Sequence, residues 1–254
     1  LEPDHLGGTC YAAGVFAAQV YLGNTNLARF LSVARNPLNL TRANGQRVFL
    51  RREGTWHQLG VPSAFELHPE LVSWWYRLGH ETLIRAELAC TVGAPAAVLL
   101  LEVVEGPPQE FLVTHQLALG VNEFDQGGRL VHDAANQLLV CEPAEESPMV
   151  RPMPGITFAL ASLSPSDAVT LGGDGPLYPD QHDRNGPYAT ALFPSTRRCG
   201  LILAAAQGVD ELRAAVRTAR AEAHSGARWL AAPAAPPAAP LRLRGRDPAV
   251  SRIS

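Results

Sequence analysis

Residues 71–117 read LVSWWYRL, GHE, TLIRAELACT, VGAP, AAVLLLEVVE, GPPQ and EFLVTHQL in succession. Four runs rich in apolar, β-branched and aromatic residues alternate with short breaks that contain Gly79, Gly93 and Gly106. Runs of this length between such breaks are typical of antiparallel strands joined by turns. The segment therefore predicts an antiparallel meander as the centre of the fold.

The second run indicates which of its faces is buried. Apolar residues on one face alternate with two charged residues and an alanine on the other: Ile84, Ala86, Leu88 and Cys90 against Arg85, Glu87 and Ala89. This alternation predicts a half-buried strand. In the first run, Trp74 and Tyr76 share one face and Trp75 lies on the other. The face outside the main core is thus also aromatic, and we expect it to contact another domain.

Shorter strand patterns surround this centre. Strands are expected at 15–22, 129–133, 137–141, 156–161, 188–193 and 201–207, with hairpin turns at Asn44-Gly45, between 38–41 and 47–52, and at 53–55, which returns the chain as 56–59. From Val209 the apolar period changes to that of a helix, with Leu212, Val216 and Ala219 on one stripe. The alanine- and proline-rich segment 231–240 predicts a semi-rigid linker.

These patterns predict a mostly β fold, a large antiparallel two-sheet β-sandwich with a C-terminal helix and linker. We divide the chain into a β-sandwich domain at 1–208, a closing helix at 209–230, and at 231–254 the linker with the start of a further helical domain. The chain begins at Leu1 and stops within what resembles an opening helix. We therefore expect it to be a piece of a longer polypeptide.

Composition excludes several classes of function. The chain has 254 residues, 46% of them hydrophobic, and a formal net charge of −3, so neither nucleic acid nor an anionic membrane is expected to attract it. No signal peptide and no apolar run of transmembrane length are present, which predicts a cytoplasmic protein. Its four cysteines are far apart and form no metal motif. We expect buried thiols, no metal and no cofactor.

The order of several short motifs resembles a known family. The motifs are VFLRR at 48–52 with Trp56 and His57, WWYR at 74–77, LIRAEL at 83–88, VLLLE at 98–102, and LRLRGRDPAVSRI at 241–253. In this order they resemble the amino-terminal β-sandwich of the inverting disaccharide phosphorylases of glycoside hydrolase family 94, the cellobiose-phosphorylase-like enzymes. The last motif resembles the entry into that family's (α/α)6 barrel. The resemblance implies a supersandwich of the galactose-mutarotase-like kind.

The same resemblance implies a function and partners. In such enzymes the sandwich supports a downstream catalytic barrel of the same polypeptide, often helps to form a homodimer, and can lend a loop to the oligosaccharide site. The catalytic Asp of the family lies in the barrel, so no catalytic residue is assigned in this chain. The chain is therefore expected to be a non-catalytic accessory domain of a carbohydrate-active enzyme, and the parent protein is expected to be a glycoside phosphorylase, glycosyltransferase or glycosidase.

The polar segment 178–188 is the candidate carbohydrate-binding site. It reads YPDQHDRNGPY, and the residues assigned to it are Tyr178, Asp180, His182, Asp183, Arg184 and Tyr188, with Trp56 as a further aromatic platform. Carboxylates, an imidazole and a guanidinium between aromatic rings suit sugar hydroxyls and apolar sugar faces. The alternatives are a solvated loop bonded to itself, a metal site, and an acid–base pair of Asp180 and Asp183.

Two rival functions come from other classes. A self-sufficient mutarotase-like enzyme would need His and Glu on one concave sheet, and a carbohydrate-binding module would need only the binding loop. His115 lies in the middle of an apolar run, where a hydrogen-bonded sheet histidine is expected. The sequence contains neither a Gly-x-Ser-x-Gly elbow nor a phosphate-binding glycine loop.

Overall fold

The computed structural model describes residues 8–13, 17–22, 45–60, 62–67, 71–91, 93–116, 128–147, 150–151, 153–186 and 188–225. Within these ranges the chain forms antiparallel strands followed by one α-helix. The strands are β1 (Gly8–Ala13), β2 (Ala17–Leu22), β3 (Gly45–Arg52), β4 (Thr55–Gln58), β5 (Ala64–Leu67), β6 (Leu71–Leu78), β7 (Thr82–Cys90), β8 (Ala96–Glu105), β9 (Gln109–Gln116), β10 (Gly128–Asp133), β11 (Leu138–Pro143), β12 (Ile156–Ser162), β13 (Thr170–Gly172), β14 (Tyr188–Thr196) and β15 (Arg198–Gln207). Helix α1 spans Val209–Ser225.

The strands form two large sheets and a small one. The larger sheet has eight strands in the order β10-β11-β12-β15-β8-β7-β6-β5, and the second has five in the order β13-β14-β9-β3-β4. Strands β1 and β2 pair only with each other among the described strands, and β1 lies against β6 and β7. The two-sheet antiparallel sandwich with a C-terminal helix is therefore confirmed.

Apolar clusters cover both faces of the eight-stranded sheet. The larger cluster lies between the two sheets and contains Phe158 of the larger sheet with Phe111 and Phe193 of the smaller one. The second cluster lies between the eight-stranded sheet and α1, which packs on β8, β12 and β15. Leu212 and Val216 are buried there, which confirms the helical stripe. The eight-stranded sheet is thus the middle layer of three.

The predicted meander is only partly correct. Strands β5 to β8 do follow one another in the eight-stranded sheet, but β9 leaves it and lies between β14 and β3 in the five-stranded sheet. The other edge of β8 pairs with β15 instead. The crossing occurs at Gly106, whose φ of +101° favours glycine, and at the two prolines that follow it. Local alternation cannot show which strand takes an edge, because that choice depends on residues about a hundred positions away.

The charged face of β7 is also less open than its alternation suggests. Arg85 is only 8% exposed, although it points away from the main core. Its guanidinium hydrogen-bonds to Glu102, lies 3.6 Å from Glu87 and sits 5.5 Å from the ring centroid of Trp75. Alternation within a strand predicts which side chains share a face. Whether that face is buried depends on side chains from other strands. Strand β7 is therefore buried on both faces.

The hairpin predicted at 53–55 is confirmed. Residues Glu53 and Gly54 have φ values of 50° and 78°, and they join β3 to β4. The hairpin predicted at Asn44-Gly45 depends on 38–41, which lie outside the described residues, as do the linker and the whole of 231–254. The partners that the structure gives β3 are β4 and β9.

The first prediction concerns the register of β7. Leu88 is 2% exposed and lies in the cluster between the sheets, opposite Val72 and Leu99. An unpaired carboxylate at this position costs several kcal/mol, so we expect Leu88→Asp to remove cooperative thermal unfolding. Val104→Asp on the neighbouring strand, at a position that is 41% exposed, is the matched control and should melt close to the wild type. A Leu88→Asp protein that melts like the control would contradict the register.

Candidate functional site

The predicted binding loop is organised around Asp174, which precedes it. Residues 173–187 connect the edge strand β13 to β14. The Asp174 side chain is fully buried and accepts hydrogen bonds from the backbone N–H of Arg184 (2.7 Å), the backbone N–H of Gly186 (2.8 Å) and the Tyr178 hydroxyl (3.3 Å). Three parts of the loop are therefore held to one carboxylate.

A second carboxyl group, that of Asp183, hydrogen-bonds to Asp174. This bond raises the pKa of Asp183. Burial would by itself raise the pKa of Asp174, but the hydrogen bond from Asp183, the two backbone amides and Tyr178 outweigh it, so that its pKa is lowered. Of the two carboxyl groups, Asp183 therefore binds a proton more readily than Asp174.

The glycines of the loop make room for this pair. A Cβ atom on Gly173 would lie 2.0 Å from Oδ2 of Asp183, and one on Gly186 would lie 2.3 Å from Oδ2 of Asp174. Real Cβ atoms do not approach so closely, so a side chain at either position would displace a carboxyl group. Glycine is therefore required at 173 and 186 because carboxyl oxygens of Asp183 and Asp174 pack directly against the backbone there.

The remaining polar side chains bond mainly to one another. Arg184 donates two hydrogen bonds to the Asp180 carboxylate (3.1 and 2.9 Å), and its guanidinium lies 3.8 Å from the centroid of the Tyr178 ring. The bonds from Arg184 lower the pKa of Asp180. Nδ1 of His182 lies 3.1 Å from the carbonyl oxygen of Asp180. The structure thus brings these residues together on an exposed surface, in a loop that is extensively bonded to itself.

Tyr188 and Trp56 lie at different ends of the five-stranded sheet. Tyr188 begins β14 opposite Gln116 of β9. Trp56 pairs with Arg51, whose guanidinium is 5.6 Å from the indole centroid and 3.3 Å from Glu110 of the same β9. Six residues of strand separate Glu110 from Gln116, which is about 20 Å. Trp56 is therefore not part of the loop site.

A surface groove includes Arg51, the pairing partner of Trp56. Its volume is about 410 Å³, and it is lined by Arg51, Glu110, Ala168, Val169, Thr170, Leu192, Phe193 and Pro194. The Arg51–Glu110 ion pair forms its polar part. Sequence reasoning missed this groove because its residues come from four segments that are far apart along the chain.

Other classes of site are absent from the part of the chain that is described. No group of three or more His, Cys, Asp or Glu side chains in it could hold a metal ion. His115 is fully buried, its Nε2 lies 3.1 Å from the Gln46 amide nitrogen, and burial lowers its pKa to about 3. Cys141 and Cys199 are buried thiols. None of the helices in the described ranges is long and apolar enough to cross a membrane.

Comparison with known proteins identifies the family. The model of the glycoside phosphorylase supersandwich domain matches residues 1–190. The chain belongs to this family. A 1,2-beta-oligoglucan phosphorylase of Listeria innocua serovar 6a is 30% identical over 159 residues, which are 62% of this chain and 14% of that protein. The supersandwich domain thus spans about a seventh of the curated relative, and the family resemblance predicted from the sequence is confirmed.

A solved structure also resembles the supersandwich domain weakly. The crystal structure of 4-alpha-glucanotransferase from Thermococcus litoralis matches with a TM-score of 0.34 and 13% identity, over 80% of this chain and 36% of that chain.

Sequence reasoning missed Asp174, the residue that anchors the loop. The signal in the sequence is an Asp between two glycines and before Pro176, because such an Asp is well placed to bind backbone N–H groups of a tight turn. The structure places it at the start of a short 3-10 turn at Gly175–Leu177. Its role depends on Asp183 and Gly186, whose positions are fixed only once the loop has closed.

The second prediction tests the shared proton. The raised pKa of Asp183 gives a stabilisation that is present at low pH and lost as the pH rises through that pKa, whereas the lowered pKa of Asp174 gives one that is lost only as the pH falls through its own, lower value. We therefore expect hydrogen-exchange protection of the Arg184 and Gly186 amides to fall as the pH rises above the ordinary aspartate pKa of about 4, after correction for intrinsic exchange.

Asp183→Asn should remove this pH dependence, because its amide donates to Asp174 at every pH. Asp180→Asn is the control within the same loop and should keep the wild-type profile. Identical profiles for the wild type and Asp183→Asn, measured by NMR, would show that the two carboxyl groups do not share a proton.

Proposed function

We propose that this supersandwich domain is a non-catalytic accessory domain of a glycoside phosphorylase. Its support is the family match over 1–190 together with the relative, a 1,2-beta-oligoglucan phosphorylase of which the matched region is 14%. In this proposal the domain packs on a catalytic domain that follows in the same polypeptide, and the parent enzyme phosphorolyses a β-linked oligoglucan. The division into 1–208, 209–230 and 231–254, a cytoplasmic location and a homodimer belong to the same proposal.

The geometry of the carboxyl groups supports the proposal that this domain is non-catalytic. An inverting glycoside reaction with an acid and a base needs two carboxyl groups about 6.5–9.5 Å apart, with a cleft between them. Asp174 and Asp183 are in hydrogen-bond contact, and both Asp174 oxygens are already engaged by loop donors. Asp180, the other carboxylate proposed for the loop, is bound to Arg184. Asp174 and Asp183 are too close together for this chemistry, and Asp180 is engaged by Arg184, so the loop does not present a free acid and a free base.

The loop itself supports a role at the edge of a saccharide site. Asp180, His182, Asp183 and Arg184 are exposed, and Tyr178 is half-buried beneath the Arg184 guanidinium. Because Asp174 fixes the backbone, these groups are held in place before any ligand arrives, which reduces the entropy that a sugar contact would cost. The proposal is that the loop lends hydrogen bonds to a site whose chemistry is supplied by the catalytic domain.

The mutarotase-like alternative receives less support. His115 faces the interior between the sheets and is neutral, so it does not provide an imidazole on an open concave sheet. The carbohydrate-binding alternative is favoured by one observation, the groove beside Arg51 and Glu110.

The third prediction is that the isolated chain does not phosphorolyse or hydrolyse β-1,2-, β-1,3- or β-1,4-linked glucan oligosaccharides. Release of glucose 1-phosphate and of reducing sugar is measured with and without phosphate. Turnover that Asp174→Asn or Asp183→Asn abolishes, while the fold is retained, would show that the domain carries a catalytic site.

The fourth prediction concerns the loop in the full-length parent. His182→Ala removes a hydrogen-bonding group, and Asp183→Asn replaces a carboxylate by a neutral, weaker acceptor. Each should raise KM for the oligoglucan about fivefold, because losing one hydrogen bond or its charge costs on the order of 1 kcal/mol, and should leave kcat and the melting temperature near those of the wild type. His80→Ala and Glu81→Gln, in the exposed β6–β7 turn, are matched controls. Unaltered kinetics in all four variants would identify the segment as a solvated surface loop.

A further inference from the structure

The groove that contains Arg51 and Glu110 has the volume of a ligand site. It holds about 410 Å³, within the range of about 300–1,000 Å³ that small-molecule sites occupy. Its apolar part comes from Leu192 and Pro194 of β14 and from Ala168 and Val169, which precede β13. Its polar part comes from Arg51 and Glu110 on β3 and β9. One side is therefore apolar, and the other offers hydrogen bonds.

The charges of the groove select against ions. Arg51 and Glu110 are paired at 3.3 Å and cancel each other, so neither an anion nor a cation gains a net attraction. Their side chains keep 45% and 38% exposure, and an exposed pair of this kind contributes little to stability. A neutral ligand with hydroxyl groups can therefore insert between them at low cost. It would accept from the guanidinium and donate to the carboxylate in charge-assisted bonds.

Trp56 extends the same surface and orients Arg51. The guanidinium lies over the indole at 5.6 Å, and Trp56 is half-buried. A cation–π contact of this kind holds the arginine side chain along the sheet. Pyranose rings have one apolar face and a rim of hydroxyl groups. The apolar side of the groove suits the ring face, and the neutral Arg51–Glu110 pair suits the hydroxyl groups.

We propose that the groove between Arg51, Glu110, Leu192 and Thr170 is a saccharide-binding site of its own, separate from the Tyr178–Tyr188 loop, which takes a short neutral oligosaccharide. The choice of a glucan as ligand rests on the proposed function. Glu110 lies about 20 Å along β9 from Gln116, which pairs with Tyr188 at the end of the loop, so a sugar bound at the Arg51–Glu110 pair is a different molecule or a distant part of a long chain.

The test is titration of the chain with short β-1,2-linked oligoglucans, followed by calorimetry and by the indole N–H signal of Trp56. We expect saturable binding that shifts this signal, and about fivefold weaker association in Glu110→Gln and in Arg51→Gln. A second exposed ion pair, Arg77 with Glu105, has 40% and 53% exposure and lies outside the groove. Arg77→Gln and Glu105→Gln are the matched controls and should bind like the wild type.

Several outcomes would overturn the proposal. Absence of binding, equal affinity in all variants, or a signal shift caused equally by inorganic phosphate would show that the groove does not recognise a saccharide. Binding by this chain but not by the full-length parent would show that another segment covers the groove. If Arg51→Gln lowers the melting temperature, Glu110→Gln alone decides.

Failure of this proposal can be distinguished from failure of the proposed function. Failure of the accessory role appears as turnover by the isolated chain or as unaltered KM in the His182 and Asp183 variants. Failure of the groove appears only in the affinities of the Arg51 and Glu110 variants.

Discussion

Burial of both faces of the eight-stranded sheet is the constraint on which the rest of the structure depends. On β8, the residues from Ala96 to Leu101 are all buried, alternately against the five-stranded sheet and against helix α1. A strand of this kind needs a layer on each side, because each exposed apolar Å² would cost about 25 cal/mol. The helix and the second sheet are therefore both required to cover it.

This three-layer arrangement decides where polar groups can lie. Arg85 is enclosed on the covered side and is accommodated only because Glu102, Glu87 and the Trp75 ring surround it. By contrast, the outer face of the five-stranded sheet carries the exposed pair of Arg51 and Glu110. A buried charge must keep its partners, whereas an exposed pair can exchange them for a ligand. That difference is why the candidate binding surface lies on the smaller sheet.

The same requirement, that a buried charge must have partners, shapes the loop at the edge of the smaller sheet. A fully buried Asp174 must be compensated by hydrogen bonds, and the structure provides two backbone amides, a tyrosine hydroxyl and the carboxyl group of Asp183. These bonds order the backbone and leave His182 and Arg184 at the surface. A loop built in this way suits presentation of groups to a ligand better than proton transfer, because its carboxyl groups are occupied with each other.

The sequence by itself determined the strands of the central segment, the closing helix, the two-sheet class and the family, because alternation, turn residues and helical period are local properties. It also placed Tyr178, Asp180, His182, Asp183 and Arg184 in one loop, since they are neighbours in the chain. Only the tertiary structure decided that β9 leaves the meander, that the charged face of β7 is covered and that Asp174 anchors the loop. It also decided that Trp56 lies with Arg51 and Glu110, at the end of β9 that is about 20 Å from Gln116 and the loop. Each of these depends on which distant segment lies against a given face or edge, and the pattern of a single segment carries no information about its partner.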